Sequence, residues 1–301
     1  MSKTSYHDPV LLQPSVAALI TDPKGVYVDA TFGGGGHSQE ILHQLDETGK
    51  LFAFDQDQDA QKNTIDDPRF TLIEANFKDI KRYLKLYGVR ELSGVLADFG
   101  VSSHQFDAQQ RGFSIRFDGP LDMRMDQEAS LDAAAVVNNY SLEDLTKLFK
   151  FYGEVKGAYR VAEAICSARE DFKITTTKSL IAIVNPLVPE RFLNKTLAQI
   201  FQAIRIEVNQ ELEVIKAFLK GATELLQADG RLVCISYHSL EDRLVKRFIQ
   251  HGVFEGEAAQ DFFGNRDLPL KKIGGLIVPE EDEIKRNNRA RSAKLRIAKK
   301  K

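Results

Sequence analysis

Four consecutive glycines, set between a short β-branched stretch and a helical pattern, limit the fold of this chain more than any other feature. They lie in Asp29-Ala30-Thr31-Phe32-Gly33-Gly34-Gly35-Gly36-His37-Ser38. Before them GVYVDAT (25–31) reads as a buried strand, and behind them SQEILHQL (38–45) carries apolar residues at helical spacing. The alternation continues. LFAFD (51–55) is a second strand, DAQKNTI a short helix, FTLIEAN (70–76) a third strand and FKDIKRYLKLYG (77–88) an amphipathic helix. LSGVLADFG (92–100) is a fourth strand that again ends in an acid. Strands and helices alternating at this spacing predict right-handed βαβ units on a parallel sheet.

The pattern then changes. Residues 105–119 are rich in Gly, Asp and Arg without a period, which predicts a long ordered loop. From Ser130 to about Asn194 only helical patterns appear, with Ser141 and Thr177 as helix caps. NQELEVIKAFLKGATELL (209–226) predicts a long helix returning to the sheet, GRLVCISY (230–237) a fifth strand and SLEDRLVKRFIQ (239–250) its helix. LKKIGGLIVP and SAKLRIAKK read as the last strands, with EEDE as an acidic linker between them. The expected organisation is a discontinuous sheet domain, residues 1–106 and 201–301, interrupted by a helical insertion at 107–200 that serves substrate recognition.

Composition removes several classes. Cys166 and Cys234 stand far apart without a CxxC or Cys/His cluster, so neither a disulfide framework nor a zinc site is read. The N-terminus lacks the basic and apolar regions of a leader, and no stretch approaches the ~18 apolar residues of a membrane span. A cytoplasmic location is expected. The formal net charge of −2 argues against a polycation, but its placement is uneven. Residues 285–301 hold nine of the 41 Lys and Arg and no acid, so all 43 acids face 32 cations in the rest of the chain. Such an end suits phosphate contacts, against the plainer reading of a solvated charge run.

The glycine turn lets backbone approach a ligand, and the helix after it begins with unpaired N–H groups. It is no phosphate loop, because no lysine follows, and Ser38 stands where a dinucleotide fingerprint needs its third glycine. Asp29 before the glycines suits a ligand with a positive amino group and would repel a pyrophosphate. Asp55, at the end of strand two, stands where a carboxylate accepts from ribose hydroxyls, or else it is a solvated strand-end acid. Phe77 after strand three packs on a base or in the core. Asp98 ends strand four. Ligands of open α/β sheets bind outside the carboxyl ends of the strands, so these positions point to one site.

At this point the chain resembles the S-adenosylmethionine-dependent methyltransferases with a Rossmann-like sheet, and more closely the bacterial RsmH (MraW) family. HDPVLL, DATFGGGGHS, FAFDQD, DFGVSSHQFD, RGFS, DGPLDMRMD, FQAIRIEVNQEL, YHSLEDRLVKRF and RARSAKLRIA carry the resemblance almost end to end. It implies an α/β fold, a class I methyltransferase sheet with an inserted all-helical domain. It implies S-adenosyl-L-methionine as cofactor and, as partner, 16S ribosomal RNA or the small ribosomal subunit, methylated on the exocyclic N4 of a cytosine. Cofactor contacts carried over by position fall on Gly35, Gly36, His37, Asp55, Phe77, Asp98 and Gln105. The chain departs from the family at His104, usually proline, and at LNKTLAQ (193–199).

Methylating an amine needs no covalent nucleophile. It needs acceptors for the amine hydrogens and reactants held in line. Asp98, the Ser102–Ser103 turn, and His238 with Ser239 are the candidates, His238 doubling as a helix cap. Arg111-Gly112-Phe113 and Asp122–Met125 either line a base pocket or form an ion-pair network. Two other readings stay open on the same sheet: a nicotinamide-dependent oxidoreductase and a non-catalytic RNA-binding assembly protein.

Overall fold

The computed structural model describes residues 9–258, 260, 266 and 268–301. His7 and Asp8 of HDPVLL, and the stretch read for a leader before them, lie outside the described residues. The chain forms two compact units, one from residues up to Gly100 with Leu212–Lys301, the other Val101–Glu211.

The first unit carries β1 (Val26–Asp29), β2 (Lys50–Asp55), β3 (Phe70–Glu74), β4 (Leu92–Asp98), β5 (Leu226–Ser236), β6 (Leu270–Ile277) and β7 (Lys294–Lys300). They make one sheet in the order β3-β2-β1-β4-β5-β7-β6. The first five run parallel, and β7 lies antiparallel between β5 and β6. This is the expected α/β Rossmann-like class. The inserted antiparallel strand separates it from the all-parallel 3-2-1-4-5-6 order of nicotinamide-binding sheets.

The central strands are apolar on both faces because helices cover both. The helices of this unit are α1 (Leu12–Leu19), α2 (Gly36–Gln44), α3 (Ile80–Leu86) and, numbered on past those of the second unit, α10 (Glu211–Leu225), α11 (Ser239–His251) and α12 (Glu281–Arg286). Val28, Val95, Ala97, Leu232 and Cys234 pack with Ile80, Leu84, Phe218 and Phe248. Their strand neighbours Tyr27, Leu96, Val233 and Ile235 pack with Val16, Leu19, Ile41 and Leu42 on the other side. That is the two-residue period of a strand expressed as two cores. After β1 the chain builds outward to β2 and β3, then returns to place β4 against β1. The reversal opens a crevice beyond the carboxyl ends of β1 and β4, where Asp29 and Asp98 stand.

The second unit is helical: α4 (Ser103–Asp107), α5 (Ala133–Asn139), α6 (Leu142–Phe151), α7 (Ala158–Asp171), α8 (Thr177–Val184) and α9 (Glu190–Asn209). Its core gathers Leu121, Met123, Val136, Leu145, Phe149, Ile165, Leu180, Ile200 and Ile204. The helical pattern expected to about Asn194 runs on to Asn209, ending where Gln210 turns left-handed at φ 49°.

Local details differ from the sequence reading. The stretch 105–119 is not all loop, because Ser102 and Gln105 close a capping box that starts α4. Ser141 caps α6 as expected, but the cap of α8 is Thr176. Thr177 is buried one position later, its hydroxyl donating to the Phe117 carbonyl at 2.8 Å. DAQKNTI belongs to a 3₁₀ turn, Gln58–Asn63, begun by Asp57. EEDE is no linker; Glu281, Asp282 and Glu283 fill the first turn of α12, where acids complement the helix dipole.

Candidate functional site

The strand-end acid before the glycines turns inward. Asp29 is completely buried. One carboxylate oxygen accepts from the Thr31 amide at 3.1 Å and the other from the Ser38 hydroxyl at 2.7 Å. Burial pushes its carboxyl above the usual range. With no exposed surface, Asp29 does not face a cationic ligand as expected; it ties the turn to the helix behind it. Gly33 and Gly35 adopt φ 51° and 77°, a region that strains any side chain, and Gly35 is the residue from which α2 starts. A Cβ on Gly36 would stand 2.1 Å from Pro9 Cγ, so this glycine admits the preceding segment. His37 is buried beside it, with Nε2 donating to the Val10 carbonyl at 3.1 Å.

Asp55 closes the turn from the second strand. Its Oδ2 accepts from the Gly33 amide and its Oδ1 from the Asp57 amide, each at 2.8 Å. Burial nevertheless pushes its pKa up to about 6, against the pull of those N–H groups. Each oxygen has a second lone pair, so the carboxylate retains capacity for further donors.

Asp98 is joined to the same turn through Thr31, whose hydroxyl accepts from the Asp98 amide at 2.7 Å. Its Oδ1 accepts from the Tyr237 hydroxyl at 2.8 Å. Burial raises this carboxyl to about 6 as well, offset in part by the His37 charge and the Tyr237 bond. Tyr237 was not singled out by sequence reasoning. It directly follows β5 and is anchored from behind: Glu241, fully buried in α11, accepts from the Tyr237 amide at 2.8 Å and the His238 amide at 3.3 Å. His238 caps α11, with Nδ1 accepting from the Glu241 amide at 3.4 Å. That places the ring proton on Nε2, 3.1 Å from Glu241 Oε1.

Phe77 packs its ring edge-on to Phe218 with centroids 5.2 Å apart and tilts against Phe99 at 6.1 Å, joining the sheet core while staying half-buried. Gln105 belongs to the second unit, where it is buried and accepts from the Ser102 amide at 3.0 Å. The first unit thus places Gly35, Gly36, His37, Asp55, Phe77, Asp98 and His238 at or just beyond the carboxyl ends of its parallel strands, and Gln105 belongs to α4 of the second unit.

Other candidates are spent on structure. Arg111 is buried and donates to the carbonyls of Arg124 and Met125, while Arg124 grips Asp122 through two bonds of 3.0 and 2.7 Å. This is the network alternative. Cys234 is buried in mid-strand, and burial pushes its thiol pKa far up, which removes it as a thiolate. Part of the basic end is engaged by acids of the same unit. Arg296 makes bonds of 2.6 and 3.1 Å to Asp242, Lys294 approaches the same carboxylate at 3.5 Å, and Lys299 pairs with Asp229. These three pairs tie β7 to its neighbours in the sheet unit.

Two carboxylates short of donors flank a left-handed glycine turn at the head of a helix. The arrangement suits a ligand bringing hydroxyl donors and positive charge. A model of the MraW methylase family matches residues 4–301. The chain is 58% identical to the ribosomal RNA small subunit methyltransferase H of Flavobacterium johnsoniae, over 98% of each protein. It is 57% identical to that of Christiangramia forsetii, again over 98% of each, and 52% identical to that of Bacteroides fragilis over 99% of each.

Proposed function

The chain belongs to the MraW methylase family, and from that premise we propose that it is a cytoplasmic methyltransferase acting on the exocyclic N4 of a cytosine in 16S ribosomal RNA, with S-adenosylmethionine as methyl donor. The observation that carries the reading is the pair Asp55 and Asp98 at the carboxyl ends of β2 and β4, tied to one glycine turn through Gly33 and Thr31.

The residues fit such a cofactor by their chemistry. Asp55 keeps acceptor capacity for the ribose hydroxyls. The amides at Gly36 and His37 open a helix, where backbone N–H groups favour a carboxylate, and Gly35, whose own amide donates to the Phe32 carbonyl, sets the turn before them. Phe77 offers an apolar surface to the adenine. Gln105 completes the set on the family resemblance alone. When bound, the cofactor supplies an electrophilic methyl group on a sulfonium.

Asp98 is the group we assign to the amine, as the acceptor that draws a hydrogen away and frees the nitrogen lone pair from the ring. Tyr237 fixes the direction of that carboxylate and lowers its pKa. His238 fixes the turn that presents Tyr237, through its capping bond with Glu241. Positioning of this kind is the main contribution available to a transfer that needs no covalent intermediate. The cytosine has to be unpaired or extruded, because a paired base uses N4 in its duplex. The helical second unit is assigned to RNA recognition. No helix among the described residues is long and apolar enough to cross a membrane.

Nucleoside mass spectrometry of small-subunit RNA from cells with and without the chain tests the assignment. Loss of an N4-methylcytidine derivative is expected, and an unchanged profile overturns it. Calorimetry with S-adenosylhomocysteine and NAD separates the oxidoreductase reading, which requires binding of NAD alone.

A further inference from the structure

Arg296, Lys294 and Lys299 are engaged by Asp242 and Asp229, and a second group of cations gathers on the sheet face beside them. A shallow recess runs between α11 and the β6–β7 edge, lined by Lys246, Gln250, Lys272, Gly275 and Arg296 over a floor of Ile249 and Ile297. Register explains the gathering. Lys272 pairs with Ala298, which puts it on the sheet face covered by α11, one diagonal step from Arg296. Lys246 stands on the exposed side of α11 above them. Between Ile273 and Ile277 the register slips; Gly274 turns left-handed at φ 62°, and a Cβ on Gly275 would meet nothing within 4 Å. The edge strand is therefore open at this point.

Lys246 and Lys272 are exposed, no acid lines the recess among the described residues, and Asp242 on α11 is already neutralised by Arg296. Ammonium groups gathered without a counter-charge repel one another, and an anion relieves that cost. Lysine reads phosphate as a point charge, without sequence preference.

We infer that the recess between α11 and the β6–β7 edge is a landing for the phosphate backbone of the RNA, with Lys246 and Lys272 each taking one phosphate. The inference rests on the proposed RNA substrate and adds where the chain grips it outside the methyl-transfer site. Gln250 and the open Gly275 backbone supply neutral donors beside the two charges.

The test measures binding of unmodified 16S ribosomal RNA across a salt series, for the full chain and for Lys246→Gln/Lys272→Gln. Two lost phosphate contacts lower the slope of log affinity against log salt by about 2 and weaken binding at ~0.1 M salt by at least about tenfold. A control pair, Lys50→Gln/Lys85→Gln, removes the same charge from exposed positions on β2 and α3. S-adenosylhomocysteine affinity should be equal in all three proteins, which shows an intact cofactor site. An unchanged slope in the recess variant, or an equal drop in the control, overturns the inference while leaving the methyltransferase reading standing. A wild-type chain that binds no RNA at any salt overturns the RNA reading itself, and this inference with it.

Discussion

Replacing Tyr237 with phenylalanine removes one oxygen, the donor 2.8 Å from Asp98 Oδ1, and leaves the ring in place. A hydrogen bond to a charged group contributes about 1.5–3 kcal/mol. Since about 1.4 kcal/mol corresponds to one pKa unit, losing the bond moves Asp98 upward from about 6 to about 7–8. The other groups facing Asp98 act in both directions: His37 favours its ionised form, while Asp29 and Glu241 oppose it. None of them replaces the lost donor. At pH 7 the ionised fraction of Asp98 then falls from about nine-tenths to between one-half and one-tenth. The assay is kcat/KM for methyl transfer to small ribosomal subunits between pH 5.5 and 9. The variant should lose roughly two- to tenfold at pH 7 and recover toward wild type at pH 9, with its inflection displaced to higher pH. A loss that is uniform across pH, or an inflection identical to wild type, refutes the claim that Tyr237 acts through the ionisation of Asp98.

Asp55→Asn should weaken S-adenosylhomocysteine binding at least about tenfold by calorimetry, because an amide offers one acceptor where the Gly33 and Asp57 amides need two. In the wild type that affinity should rise with pH through about 6, since ligand hydroxyls favour the ionised carboxylate. Gly36→Ala places a Cβ against the rigid Pro9 ring and should cost about 1–3 kcal/mol, seen as a lower Tm. Arg296→Met leaves Asp242 with only the looser Lys294 contact and should cost about 1–3 kcal/mol in a denaturant titration at pH 7. Burial pushes Asp242 up, but its partners hold it below the usual carboxylate value. That stability is present above the unfolded pKa and lost as pH falls through the folded one, so the difference should close below about pH 4.

The strand–helix alternation that defines the first unit was legible because parallel strands covered on both faces leave continuous apolar runs such as LFAF and VLA. The carboxyl-end acids were legible as positions but not as environments. Asp29, Asp55 and Asp98 look alike in sequence; only the fold shows that the first is sealed without exposed surface while the other two stay partly open. Tyr237 was hidden for a different reason. Its partner Asp98 is 139 residues away, and only the neighbouring placement of β4 and β5 joins them. The YHSLEDR run carries the signal, in the tyrosine beside its histidine. Part of the basic end was illegible because charge counting ignores partners: its strand is threaded between β5 and β6, and Asp242 and Asp229 stand within reach of Arg296 and Lys299.

Small ribosomal subunits from cells lacking this chain, incubated with purified protein and S-adenosylmethionine carrying an isotopic methyl, give the most direct reading. Labelled N4-methylcytidine should appear in 16S RNA with the wild type and be absent with a folded Asp98→Ala variant. Label on any other nucleoside, or undiminished label with the variant, would contradict the account.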